Sequence, residues 1–186
     1  MLDTISHLTL AELEAGLDGI RQSPKESGVL RLIVRRPRIE AREVLAAAEL
    51  HPDQGLIGDN WISRGSSKTP DGSAHPDMQL NIMNARVAAL VAQREERWQL
   101  AGDQLYVDYD LSEANLPAGT RLAIGDAVIV VSPQPHTGCQ KFSGRFGVDA
   151  LRLVGTPEGK ALRLRGANAR VVVPGPVRRG DQIRRA

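Results

Sequence analysis

From Gly28 onward the chain is cut into short apolar runs by glycine and proline, and few of the intervals leave room for a helix. In Leu30-Arg31-Leu32-Ile33-Val34-Arg35 the residues Leu30, Leu32 and Val34 fall on one strand face. Leu105, Val107 and Tyr109 alternate with Tyr106, Asp108 and Asp110. Ala127 to Val131 is a continuous β-branched run, as in a buried strand. Leu162 and Leu164 alternate with Arg163 and Arg165, and Arg170 to Val173 is stopped by Pro174-Gly175-Pro176. Leu116-Pro117-Ala118-Gly119 suits a type I turn, and Arg179-Gly180-Asp181 a turn before a last strand at Gln182 to Arg184. Strands that do not alternate regularly with helices argue against a doubly wound sheet and for a barrel or sandwich.

Helical periodicity is confined to three places. Thr9 and Glu12 have capping-box spacing, and Leu10, Leu13, Leu17 and Ile20 share a face, which predicts an amphipathic helix beside the main domain. Leu80, Met83, Val87, Leu90 and Val91 form a stripe that predicts one helix between Gln79 and Gln93. A shorter helix is expected over Gly144 to Leu151. Ser63 to Pro76 is rich in Ser, Gly and Pro and reads as a long loop.

Composition removes several classes of function. Aromatic residues are 3% of the chain, so the core must be built from Leu, Val, Ile and Ala. The net charge of +2 is too small to imply nucleic-acid binding. One Cys forbids an intrachain disulfide and a thiolate-rich metal site. No apolar run approaches the ~20 residues of a membrane span, and the N-terminus lacks a signal-peptide pattern. A cytoplasmic protein with no membrane or nucleic-acid partner is the expectation. Dinucleotide-binding, phosphate-loop, zinc-protease and nucleophile-elbow motifs are all absent from the sequence.

Chemistry concentrates in Ser132 to Gly147, which follows the most apolar strand. The segment holds the one cysteine, Cys139, with His136, Lys141 and Arg145 around it. Cations near a thiol favour the thiolate, which is both the nucleophile and the soft-metal ligand. Gly138 gives the backbone freedom to bring amides near an anion, and a helix starting near Ser143 would add positive potential. The alternative for Cys139 is a buried small hydrophobe, although Thr, Gly, Gln and Lys are poor core companions. His136 also suits a loop hydrogen bond, and Lys141 and Arg145 also suit a solvated face.

Several segments, in order, are similar to the MOSC domain, the module named for the C-terminal part of molybdenum cofactor sulfurases. Gly55-Leu56-Ile57-Gly58-Asp59-Asn60-Trp61 resembles its early Gly-x-x-Gly-Asp stretch, and His75-Pro76-Asp77-Met78-Gln79 its His-containing segment. Ala101-Gly102-Asp103-Gln104-Leu105 resembles a strand entry, and Pro117-Ala118-Gly119-Thr120 with Ile124-Gly125-Asp126-Ala127 its Gly-Thr-x-x-x-Ile-Gly stretch. Pro135 to Lys141 corresponds to the loop of the hallmark Cys, and Arg165 to Val171 with Pro174 to Asp181 to the closing strands. Gln104 stands where the family usually has Asn, and Thr137-Gly138 where it commonly has Arg or another residue followed by Pro.

The resemblance covers about residues 28–185 and implies a mainly β, MOSC-type barrel over 28–186 with an N-terminal helical extension over 1–27. It implies that Cys139 carries sulfane sulfur as a persulfide or ligates molybdenum of a pterin cofactor. The protein would then be a molybdenum-cofactor-dependent reductase or a sulfur transferase, with a cysteine desulfurase or an electron-donor protein as partner. An association with pyridoxal phosphate also exists at family level. An anionic pterin phosphate would need cationic donors, for which Lys141, Arg145, Arg64 and Lys68 are candidates. Asp59, His75 and Asp77 are candidates for orienting the ligand, and each also suits an ordinary turn. Two other readings stand beside this one. One is a binding or adaptor barrel that meets a protein or small anion through Arg35-Arg36-Pro37-Arg38 and Arg178-Arg179. The other is a thiol-dependent transferase or hydrolase with Cys139 and His136 as nucleophile and base, for which the sequence offers no third, orienting residue.

Overall fold

The longest strand, β1 (Ser27–Arg35), determines how the sheet closes. In the computed structural model, which describes residues 5–186, one edge of β1 pairs antiparallel with β6 (Leu105–Asp108). Its other edge is shared. The first residues meet β11 (Gln182–Arg185), with Gly28 opposite Ile183, and the last meet β2 (Glu43–Leu45), with Ile33 opposite Leu45. From β6 the sheet runs through β5 (Leu80–Asn84), β9 (Ala167–Val173), β8 (Ala127–Val131) and β7 (Arg121–Ile124) back to β11. The result is a closed seven-strand mixed barrel in which β5 and β6 are the parallel pair. A small second sheet of β3 (Ala47–His51), β4 (Gly55–Leu56) and β10 (Gly175–Arg178) contributes Leu50, Leu56 and Val177 to the barrel interior.

The wall is apolar on both faces. Inside lie Leu30, Ile82, Leu105, Val107, Ile129 and Val171 among others. Outside, Leu32, Val34, Met83 and Tyr106 pack against helices. These are α1 (Leu10–Ala15), α2 (Leu17–Arg21), α4 (Ala85–Ala92), α5 (Gln140–Phe146) and α6 (Val148–Gly155). The Thr9–Glu12 capping box forms as its spacing predicts, with Thr9 N donating to Glu12 Oε2 at 2.8 Å. Aliphatic side chains dominate both clusters, yet all six aromatics are buried too, so none is spent on the surface. Among the described residues no helix is long and apolar enough to cross a membrane.

Four local expectations need correction. Leu30 does not share a face with Leu32 and Val34, because a bulge between Leu30 and Leu32 resets the alternation, and Leu30 and Ile33 both turn inward. Residues 80–84 are strand rather than helix. Central pairing between β6 and β9 overrides the stripe, and Asn84 starts α4 as its cap, accepting from Arg86 N at 2.8 Å. Leu162 to Arg165 is a turn following α7 (Pro157–Ala161), which Thr156 and Pro157 initiate. The helix expected over 144–151 is two helices that meet at Gly147, and the first begins at Gln140 because Phe142 and Phe146 bury one turn apart. The long loop is as expected, ending in a single helical turn at Pro76–Met78.

Gly166 leads into β9 with φ +111°, and a Cβ there would lie 2.3 Å from the Ile82 carbonyl oxygen. Gly166→Ala should therefore cost about 2 kcal/mol or more in urea unfolding. A loss below ~0.5 kcal/mol would mean that the backbone gives way freely at this crossing.

Candidate functional site

The segments that leave β1 and β8 and those that enter β5, β6 and β9 converge at one end of the barrel, where two buried carboxylates hold them together. Asp59 has a fully buried side chain and grips Arg36 at both oxygens, with Nε to Oδ2 at 2.9 Å and Nη2 to Oδ1 at 2.8 Å. Arg36 Nη1 also donates to Asn81 Oδ1 and to the Gly102 carbonyl, each at 2.9 Å. Asn81 Nδ2 donates onward to Asn168 Oδ1 at 2.6 Å, and Asn168 Nδ2 to the Gln134 carbonyl at 3.1 Å. The chain of bonds thus ties β1, β5 and β9 to the segment that carries the cysteine. Gln104 serves the same frame, accepting from Asn81 N at 2.7 Å and donating to the Gln79 carbonyl at 3.2 Å.

Asp103, also fully buried, is the second anchor. Arg165 Nη1 donates to its Oδ2 at 2.7 Å, and His136 Nε2 lies 3.0 Å from its Oδ1. Arg165 donates again to the Ala101 carbonyl at 2.9 Å and stacks 5.0 Å over the Phe142 ring. Burial pushes the Asp103 carboxyl up, but Arg165 and His136 together outweigh it and hold its pKa below the usual range. Burial, then the charge of Arg165, hold His136 below its ordinary 6.5, so the ring is neutral at pH 7 and donates Nε2–H to Asp103. Asp103 is the orienting group for His136 that the sequence leaves unnamed. No hydrogen bond joins His136 to the Cys139 thiol among the described residues.

Above this frame opens a cleft of about 350 Å³ with Cys139 on its lining. Cys139 is exposed and stands immediately before α5. Arg36, Arg38 and Arg42 come from the segment after β1, Arg64 and Lys68 from α3 (Trp61–Arg64) and the loop beyond it. Lys141 and Arg145 come from α5, and Arg165 from the turn before β9. Against these eight cations the lining has one carboxylate, Glu40. Glu40 sits at a turn tip with φ +62° and bridges Lys141 and Arg145, the latter at 2.7 Å. Burial first, and then repulsion from Arg145 and Arg36, lowers the Arg42 pKa. Arg42 Nε and Asn60 Oδ1 are buried beside the cleft without a partner among the described residues.

The structure therefore brings Cys139, His136, Lys141, Arg145, Arg64 and Lys68 to one cleft. It places Asp59 beneath the cleft as the partner of Arg36, and His75 and Asp77 away from the lining. His75 caps the turn at Pro76–Met78, accepting from Asp77 N at 3.2 Å, and Asp77 Oδ1 lies 4.0 Å from Arg170. Arg36, with its side chain 5% exposed, belongs to the frame and not to an open contact surface. Arg38, which the adaptor reading offered as a contact, lines the cleft, and Arg42, Asp103 and Arg165 are members that sequence reasoning misses as site residues. The one signal for them is charge beside strand termini, as in Gly102-Asp103 before β6 and Arg165-Gly166 before β9.

Both members of the His136–Asp103 pair bind protons less readily folded than unfolded, so the unfolded chain takes up the extra protons as pH falls. The contribution of His136 is complete above the unfolded value of 6.5 and erodes below it, and that of Asp103 erodes below 3.8. The melting temperature should hold level above neutrality and fall as pH drops below 6.5. His136→Gln, which keeps a donor for Asp103, should flatten the upper part of that fall. An identical profile in the variant would remove His136 as its source.

The sequence model of the MOSC domain matches residues 69–184, more than half of the chain. No curated protein sequence matches the chain closely. Among solved structures, YuaD from Bacillus subtilis is similar at 16% identity and a TM-score of 0.60, over 84% of this chain and 94% of that one. YiiM from Escherichia coli is similar at 22% identity and a TM-score of 0.54, over 85% of this chain and 69% of that one. YiiM from Geobacillus stearothermophilus is similar at 16% identity and a TM-score of 0.52, over 85% and 73%. At such identities the structural likeness bears on the fold, and the domain match extends over β5 to β11, including the cysteine segment and the turn that carries Arg165. The chain is a member of the MOSC domain family.

Proposed function

We propose that the cleft beside Cys139 handles the phosphate-bearing pterin of the molybdenum cofactor, with the Cys139 thiolate as ligand to the metal or as carrier of sulfane sulfur. The observation that carries this reading is the lining itself: eight Arg and Lys side chains, one carboxylate and one exposed thiol. Guanidinium forks suit phosphate oxygens, and a thiolate suits a soft metal or sulfur. Among the described residues no group of three or more His, Cys, Asp and Glu is placed to cage a bare metal ion. A single thiolate fits a metal that arrives with an organic ligand of its own. The partnerless Asn60 Oδ1 and Arg42 Nε at the cleft wall fit a ligand that offers both donors and acceptors.

In this reading Arg42, Arg64, Lys68, Lys141 and Arg145 hold the phosphate end. Arg36 and Arg165 stay with their carboxylates and fix the floor. Neutral His136, held by Asp103, keeps the segment before Cys139 in place. The cofactor, when bound, supplies two-electron redox chemistry at molybdenum. A reductase would then draw on an electron-donor protein, and a sulfur carrier on a cysteine desulfurase.

Protein purified from cells that make the cofactor should hold molybdenum and pterin close to one per chain, and Cys139→Ser should lose the metal. No cofactor in either form, with persulfide on Cys139, would move the function to sulfur carriage alone. Neither cofactor nor persulfide would leave a binding barrel. Glu40 occupies two of the cations that the phosphate needs, so Glu40→Gln should tighten retention of the cofactor against salt washing. Weaker retention in Glu40→Gln would make Glu40 a support of the site instead of a competitor.

A further inference from the structure

A second and larger cavity, about 660 Å³, lies on the other side of the segment that leads to Cys139. Pro135, His136 and Thr137 line both cavities and form the wall between them. Of the eight cations of the first cleft only Arg165 reaches the second, and Cys139 does not. Sites for small organic molecules run from about 300 to 1,000 Å³, with mostly apolar walls and a few polar groups. Here the apolar walls are Pro133, Pro135, Leu151 and Val154. At Gly155 an added Cβ would meet no atom within 4 Å, so the end of α6 borders open space.

The charges of this cavity differ from those of the cleft. Lys160 is exposed and has no ion pair among the described residues. Arg163 stands in the left-handed region at φ +47°, a conformation that costs a non-glycine residue about 1–2 kcal/mol. Its Nη1 donates to the Leu116 carbonyl at 2.6 Å and the Leu111 carbonyl at 3.3 Å. These bonds fix the guanidinium, and Glu113, the one carboxylate on the lining, partly offsets its charge, which leaves Lys160 as the cation with no carboxylate beside it.

We infer that this cavity is a second ligand site, which takes a small organic anion with a flat apolar body, of the class of aromatic carboxylates and sulfonates. Pro133, Leu151 and Val154 take the ring, and Arg163 with Lys160 takes the anionic group. A wholly apolar ligand would displace water from Lys160 without giving its charge a partner. A polyphosphorylated ligand finds too few cations here and is better matched to the cleft beside Cys139. The inference holds whatever that cleft binds.

Fluorescence titration of the full chain with 8-anilinonaphthalene-1-sulfonate at fixed ionic strength tests it. One saturable site is expected, weakened at least about five-fold by Lys160→Glu and by Gly155→Trp, and unaltered by Lys68→Glu in the other cleft. Circular dichroism melting establishes that Gly155→Trp is folded. Should it not be, Lys160→Glu against Lys68→Glu decides the matter, since both change exposed side chains. Absence of saturable binding, or indifference to Lys160→Glu, would overturn the site. An equal loss in Lys68→Glu would put the probe in the arginine-rich cleft and overturn it as well. A loss in Lys160→Glu with none in folded Gly155→Trp would put the probe on the surface of α7 and have the same effect.

Discussion

The carboxylate of Asp103 has no access to water, and the end of the barrel is arranged around keeping it charged. An isolated carboxylate in such a place would take up a proton, because burial penalises the ion by several kcal/mol. Arg165 and His136 prevent this from opposite sides, and Arg165 is in turn held by the Ala101 carbonyl and the Phe142 ring. One anion thereby positions the entry to β6, the turn before β9, α5 and the segment before Cys139. The Arg36–Asp59 pair repeats the device for β1 and α3. Buried pairs of this kind add little net stability over an apolar core, but breaking one strands a charge at a cost of about 3–5 kcal/mol. Their value here is registry: chain segments far apart in sequence are held at fixed distances.

On that frame sit positive charges that are not neutralised within the fold. Arg42 and Arg64 are both harder to keep protonated than usual, first through burial and then through neighbouring guanidiniums. Such crowding opposes folding, and a bound anion would relieve it. Glu40 supplies partial relief from within, in a backbone conformation that disfavours its side chain.

Much of the fold was legible because turn residues and β-branched runs act locally. The runs at Ala127–Val131 and Leu105–Val107 are strands, and the Thr9–Glu12 spacing is a real cap. The stripe from Leu80 to Val91 misleads because a strand followed at once by a helix scatters apolar residues over both clusters. Leu80 and Ile82 turn into the barrel, while Met83 and Val87 turn out. At the site, Cys139, Lys141 and Arg145 were legible because one segment holds them together. Arg42, Asp103 and Arg165 were not, since each is an ordinary charge in the sequence, and only closure of the barrel brings Arg165 within hydrogen-bond reach of Asp103, 62 positions away. Asp59 was legible as a residue of interest, but its part as the clamp on Arg36 depends on a partner 23 positions away.

The way β1 shares its edge has a kinetic side. Ser27 to Val29 pair with Gln182 to Arg184, partners separated by 155 positions where Gln182 donates to Ser27. A nascent chain can form α1, α4 and the β7–β8 hairpin early, but β1 keeps a bare stretch of edge until β11 has emerged from the ribosome. Loop-closure entropy is paid late and at long range, so barrel closure is slow compared with the helices around it. During that interval the unpaired edge is open to strand exchange with another copy, and Arg31, Arg184 and Arg185, exposed beside the seam, supply like charges that discourage it.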